Sequence, residues 1–185
     1  MSGDRPLLFP LSGLLAELPG AKRHHEIDEP TLDLPEDLAL AEGVRGIVDI
    51  ARTNRGVYVH ASVRTAIAGA CSRCLRDLAL PIAVEVKEEA LPSIDLTTGA
   101  ALDTSAEPEV ARLDGHHELD LEAMLVEAIS LAEPFAPLCE PDCPGLCLEC
   151  GERLDADHVE HPSDDVDPRL AALLGFRVDG EGQTG

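Results

Sequence analysis

The chain has no tryptophan, one tyrosine and three phenylalanines. A face of stacked aromatic rings, the usual reader of single-stranded RNA, has almost nothing to be built from. A core must instead be assembled from Leu, Val, Ile and Ala. Positive charge is also scarce, with 14 Lys and Arg against 36 Asp and Glu and a net charge of −22. That balance argues against wrapping bare nucleic acid or an anionic membrane by bulk electrostatics. No run approaches the roughly 20 apolar residues that span a bilayer. The nearest, residues 7–18, is interrupted by Pro10 and Gly13 and closed by Glu17, with no small-x-small cleavage pattern behind it. These features predict a cytoplasmic protein with no membrane partner. In that reducing compartment the six cysteines read as metal ligands rather than disulfides.

What is present suffices for a folded domain. A length of 185 residues and 44% hydrophobic content support one core. Apolar residues at 11, 14, 15 and 18 have helical spacing and predict a short amphipathic helix over 11–18 with Ser12 as a cap. Pro19 and Gly20 end it, and Lys22, Arg23, His24 and His25 then read as a solvated turn. Residues 44–50 and 56–67 are β-branched and alternating, with Val57, Val59, Ala61, Val63, Thr65 and Ile67 on one face. The turn chemistry of residues 53–56 makes them a hairpin. A third strand is expected over 78–86, with Leu80, Ile82, Val84 and Val86 alternating. Residues 87–115 lose the pattern and read as an exposed loop. Helical spacing returns over 119–131, with Leu121, Leu125, Ala128 and Ile129 as the buried stripe and Asp120 as N-cap. Glu122 and Glu127 fall on its polar side and read as a solvated face rather than an acid–base pair. Asp167 and Pro168 open a final helix over 169–174.

The strongest local signal is Cys139-x3-Cys143-x3-Cys147-x2-Cys150, followed at once by Gly151. Four thiolates in so short a stretch suit a tetrahedral, structural Zn2+, and Cys-x2-Cys-Gly folds as a knuckle with both sulfurs on one side. Pro141, Pro144 and Gly145 preclude a regular helix here, so order must come from elsewhere. A second Cys-x2-Cys, Cys71-Ser72-Arg73-Cys74, lies between two strands. Three ligand sets therefore stand open: the contiguous Cys139, Cys143, Cys147 and Cys150, which is preferred; Cys71 and Cys74 paired with Cys147 and Cys150; and the late cluster completed by His158 or His161. No set leaves an evident open coordination position, and no nucleophile, base and orienting partner converge, so neither an enzyme nor a small-molecule substrate is expected. Two look-alikes are set aside. Gly180-x-Gly182-x2-Gly185 has no helix after it to meet a pyrophosphate, and Cys71 and Cys74 lack the helix N-terminus that activates a thioredoxin-type pair.

Charge is uneven. Residues 45–76 carry six arginines and one acid. Arg55, Arg64, Arg73 and Arg76 form the candidate RNA-binding set, able to grip phosphates bidentately. The competing reading has them pairing with the protein's own carboxylates.

Taken in order, the β-rich segment ending Cys71-Ser72-Arg73-Cys74-Leu75, an acidic loop, the helix LDLEAMLVEAISLAEP, then PLCEPDCPGLCLECGERLD and DPRLAALLGF resemble the YceD-like family of bacterial proteins implicated in accumulation of large-subunit ribosomal RNA. The likeness covers about residues 8–176. It implies a non-enzymatic, cytoplasmic factor linked to 23S rRNA production or 50S assembly; the expected partner is an rRNA precursor or, as the charge favours, a basic ribosomal protein. Many members with the late cysteines have a further cysteine pair after the equivalent of GERLD, where this chain has His158 and His161. The expected architecture is one YceD-like α+β domain over residues 1–185, its core spanning 8–176. It holds an antiparallel sheet or hairpin core of three or more strands, a packed helix over 119–133, a Cys-rich zinc-knuckle lobe over 137–161 and a mobile tail over 179–185. Two other functions compete with the ribosomal one. The −22 charge favours an acidic, zinc-stabilised interaction module or chaperone for a basic ribosomal protein, and a thiol oxidoreductase ranks behind both.

Overall fold

The computed structural model describes residues 7–103, 105, 107–155, 157–159 and 161. The expected helix over 169–174 and the tail over 179–185 lie outside the described residues. The chain divides into two compact units, Met1–Cys143 and Pro144–Gly185, a boundary that falls inside the cysteine-rich stretch.

The first unit is mostly sheet. Its strands are β1 (Leu8–Pro10), β2 (Lys22–Glu29), β3 (Leu40–Arg52), β4 (Val57–Ala70), β5 (Asp77–Leu91), β6 (Ala111–Arg112) and β7 (Glu118–Asp120), with helices α1 (Ser12–Leu15) and α2 (Leu121–Leu131). Strands β2 to β6 form one sheet in chain order, and β1 pairs with β7 in a second. From β2 to β5 the pairing is antiparallel, and β6 adds in parallel to β5, so the sheet is mixed.

The predicted alternation sets the buried face. Val57, Val59, Ala61, Val63, Thr65 and Ile67 are buried together, as are Leu80, Ile82, Val84 and Val86 on the neighbouring strand. Against them lies α2, which buries Leu121, Leu125 and Ile129, with Ala128 half-buried beside them. Thr65 is the polar exception on the apolar face, and its hydroxyl donates to the Glu42 carbonyl at 2.7 Å, where the β3–β4 register shifts. A buried hydroxyl needs such a partner.

Several expectations are corrected. Residues 22–25 are not a turn but the start of edge strand β2, whose ladder runs from Lys22 opposite Ala51 to Glu29 opposite Val44. Its charged residues suit an edge exposed to solvent, while Ile27 alone is fully turned to the core. The first helix is only Ser12–Leu15 and has no side-chain cap. Leu11, Leu14 and Leu15 are buried but Leu18 is 84% exposed, so the fourth apolar position has no core to enter. The second helix starts at Leu121 rather than 119 because Glu118–Asp120 pair with β1. Residues 87–115 are not all loop, since β5 runs on to Leu91 and Leu113 is fully buried.

Candidate metal centres

The connection between β4 and β5 is a tight knuckle. The Cys71 N–H donates to the Arg76 carbonyl at 2.8 Å and the Leu75 N–H to the Cys71 carbonyl at 2.9 Å. Leu75 takes a left-handed backbone, φ 57°. The second Cys-x2-Cys repeats the arrangement. The Cys147 N–H donates to Glu152 O at 2.7 Å and the Gly151 N–H to Cys147 O at 2.9 Å, and Gly151 has φ 74°. Leu75 thus occupies the position that glycine fills in the other knuckle.

Each knuckle aims backbone N–H groups at its first sulfur. At Cys71 the N–H of Cys74, and then those of Cys139 and Arg73, outweigh burial and bring the thiol down to about 6. Cys147 is lowered for the same reason, first by the Cys150 N–H and then by that of Glu149, which lies 3.4 Å from the sulfur. Such N–H groups favour the thiolate, the form that ligates a metal.

Two groups of four ligands result. In the first unit Cys71, Cys74, Cys139 and Cys143 bring their sulfurs within 4.8 Å of one another. Cys71 to Cys143 and Cys74 to Cys139 are each 3.7 Å, far beyond the ~2.05 Å of a disulfide. A tetrahedral zinc with bonds of about 2.3 Å requires sulfurs about 3.8 Å apart. Cys71, Cys74 and Cys143 are buried in a cluster of their own, with Leu78 packed against it. Cys139 is pushed up to about 12, chiefly by burial and then by the neighbouring thiols. Four sulfurs this close cannot ionise together without a cation among them. The segment bearing Cys139 and Cys143 is tied to the knuckle by the Ser72 N–H donating to Pro137 O at 2.8 Å and by Arg73 donating to Cys143 O at 3.0 Å.

In the second unit Cys147, Cys150, His158 and His161 bring their ligand atoms within 4.8 Å. Cys150 Sγ lies 3.4 Å from His158 Nε2. Both cysteine clusters could hold a metal ion.

The structure groups the eight candidate ligands differently from the first two sequence-derived sets, and joins Cys147 and Cys150 to His158 and His161, in part as the third had it. The contiguous four are split between the groups, and Cys71 and Cys74 meet Cys139 and Cys143 rather than Cys147 and Cys150. The available signal was a count: six cysteines and two late histidines come in four closely spaced pairs, enough for two tetrads. Pro144-Gly145, between the second and third pairs, marks the break.

The arginines are dispersed. Arg55 pairs with Glu107, which raises the guanidinium's affinity for its proton. Arg73 is committed to the Cys143 carbonyl. Arg64 and Arg76 are exposed, and among the described residues neither has a carboxylate in ion-pair range. Arg64 lies opposite Arg45 in the β3–β4 ladder, and the latter reaches Asp28 at 3.0 Å.

A mostly-sheet domain with cysteine knuckles that can hold metal is the class these features define. Within it, the chain belongs to the YceD family: the family described as "Large ribosomal RNA subunit accumulation protein YceD" matches residues 59–177. Uncharacterized proteins of Mycobacterium bovis and Mycobacterium tuberculosis are each 32% identical over 180 residues, covering 94% of this chain and 84% of theirs. An uncharacterized protein of Mycobacterium leprae is 47% identical over 55 residues, 30% of this chain and 25% of its own. No solved structure matches the chain at a significant level. No helix among the described residues is long and apolar enough to cross a membrane.

Proposed function

We propose that this protein is a non-enzymatic, cytoplasmic accessory factor in ribosome biogenesis that supports 23S rRNA accumulation and assembly of the 50S subunit. The observation that carries the reading is the family match over residues 59–177. A structural Zn2+ held by Cys71, Cys74, Cys139 and Cys143 would fasten the chain beyond α2 to the β4–β5 knuckle. The burial of three of the four thiols supports that role and weighs against a thiol oxidoreductase, whose reactive sulfur must be reached.

For contact with an rRNA precursor, the expected set of Arg55, Arg64, Arg73 and Arg76 contracts to Arg64 and Arg76. Arg55 is neutralised by Glu107 and Arg73 is part of the tetrad's frame. That contraction, with the net charge of −22, favours a second reading in which the partner is a basic ribosomal protein. Ultraviolet-crosslinked pull-down of the tagged protein from growing cells separates the two. Crosslinks to 23S precursor that vanish in Arg64→Glu/Arg76→Glu place RNA at the sheet. Recovery of a ribosomal protein without crosslinked RNA makes the protein an acidic escort. Recovery of neither contradicts both.

A further inference from the structure

The described residues of the unit Pro144–Gly185 have the hydrogen bonds of a folded knuckle and few other contacts that order them. Among its described residues no apolar side chain is buried, and Leu148 and Val159 are 102% and 76% exposed. Its ladder is a single bridge between Leu146 and Arg153, joined by Leu154 N–H donating to Gly145 O at 3.0 Å. Sixteen described residues that bury no apolar side chain gain little from burial, which is what offsets lost backbone entropy. Yet this segment carries four potential ligands facing one point.

We propose that Cys147, Cys150, His158 and His161 form a second zinc site, independent of the four-cysteine tetrad, and that the order of residues 144–161 depends on it. Two thiolates and two imidazoles are a complete tetrahedral set for zinc, and too soft a set for magnesium or calcium. With Zn–S near 2.3 Å and Zn–N near 2.05 Å, tetrahedral geometry puts sulfur and nitrogen about 3.6 Å apart. Cys150 Sγ and His158 Nε2 are 3.4 Å apart. The rings of His158 and His161 stand edge to face with centroids 5.3 Å apart, an arrangement that lets both turn one nitrogen to a common centre. The Glu149 N–H already donates to Cys147 Sγ, and Gly151 supplies the left-handed residue that the knuckle needs. Nearly the same hydrogen-bond frame is built around Cys71 in the buried tetrad, and this recurrence is hard to explain for four surface residues with no common ligand.

The two sites differ in access. Cys150 and His161 are exposed, whereas Cys71, Cys74 and Cys143 are buried. A chelator should therefore remove the second zinc first. The inference stands apart from the ribosomal reading and needs no partner.

Metal content of the purified full chain, refolded with zinc alone, is the test. About two zinc ions per chain are expected, with about one in His158→Ala/His161→Ala, whose cobalt-substituted spectrum keeps its four-thiolate component. His158→Cys/His161→Cys should again hold two. Mild chelation should strip one zinc and, in hydrogen exchange, abolish amide protection at 144–161 while β3 to β5 stay protected. One zinc per chain in the wild type, unchanged by loss of both histidines, overturns the proposal. So does protection at 144–161 that survives loss of the second zinc.

Discussion

Leu75 sits where a side chain costs most. A left-handed backbone at a residue with a Cβ is unfavourable by about 1–2 kcal/mol, and the Leu75 side chain is 60% exposed. Leu75→Gly should therefore raise stability by about 1 kcal/mol in urea titration, part of the gain being lost to the freer unfolded chain. The matching change at the other knuckle, Gly151→Leu, should loosen zinc at the second site, read by chelator competition. Gly46 is constrained by space instead: an added Cβ would lie 2.1 Å from the Ser62 carbonyl oxygen and 2.7 Å from Val63 Cα. Since both are backbone atoms that cannot step aside, Gly46→Ala should lower stability by about 1–3 kcal/mol or more. Asp114 supplies an acid-sensitive contact. The Glu118 N–H and then that of His116 hold its carboxyl below the usual range, both at 2.8 Å. A carboxyl lowered in the folded state stabilises it above the ordinary value, near pH 3.9, and the stabilisation disappears as pH falls through the lowered one. The stability of Asp114→Asn should accordingly fall less than that of the wild type between about pH 5 and pH 2.

Among the elements, α2 is the clearest case of a sequence rule carried through to packing. Asp120 accepts the Ala123 N–H at 3.2 Å, so Asp120→Ala should cost about 1 kcal/mol in thermal or urea unfolding. That cap, the buried stripe beneath it and the alternating faces of β4 and β5 were legible because each rests on local periodicity. The edge strand β2 was not, since residues 22–25 show polar side chains and their strand character comes from pairing with β3. The ligand sets were legible as residues and not as partners. Cys71 and Cys139 are far apart in sequence, and tertiary contacts such as the Ser72–Pro137 and Arg73–Cys143 hydrogen bonds bring them together. Arg73→Ala should loosen this frame. The expected result is faster zinc loss to a chelator at the buried tetrad, with little change at the second site.

For the molecule as a whole, negative charge is the dominant long-range property. A net charge of −22 favours basic partners and repels bare RNA except near Arg64 and Arg76, which among the described residues have no carboxylate in ion-pair range. The first unit is a sheet domain whose four-cysteine group could hold a metal ion, and the chain belongs to a family described by large-subunit rRNA accumulation. Its central role is tested most directly by depleting the protein from growing cells of its source and measuring the ratio of 23S to 16S rRNA. The account predicts that 23S rRNA falls relative to 16S and returns when the wild-type protein is restored. A ratio unchanged by depletion would contradict it.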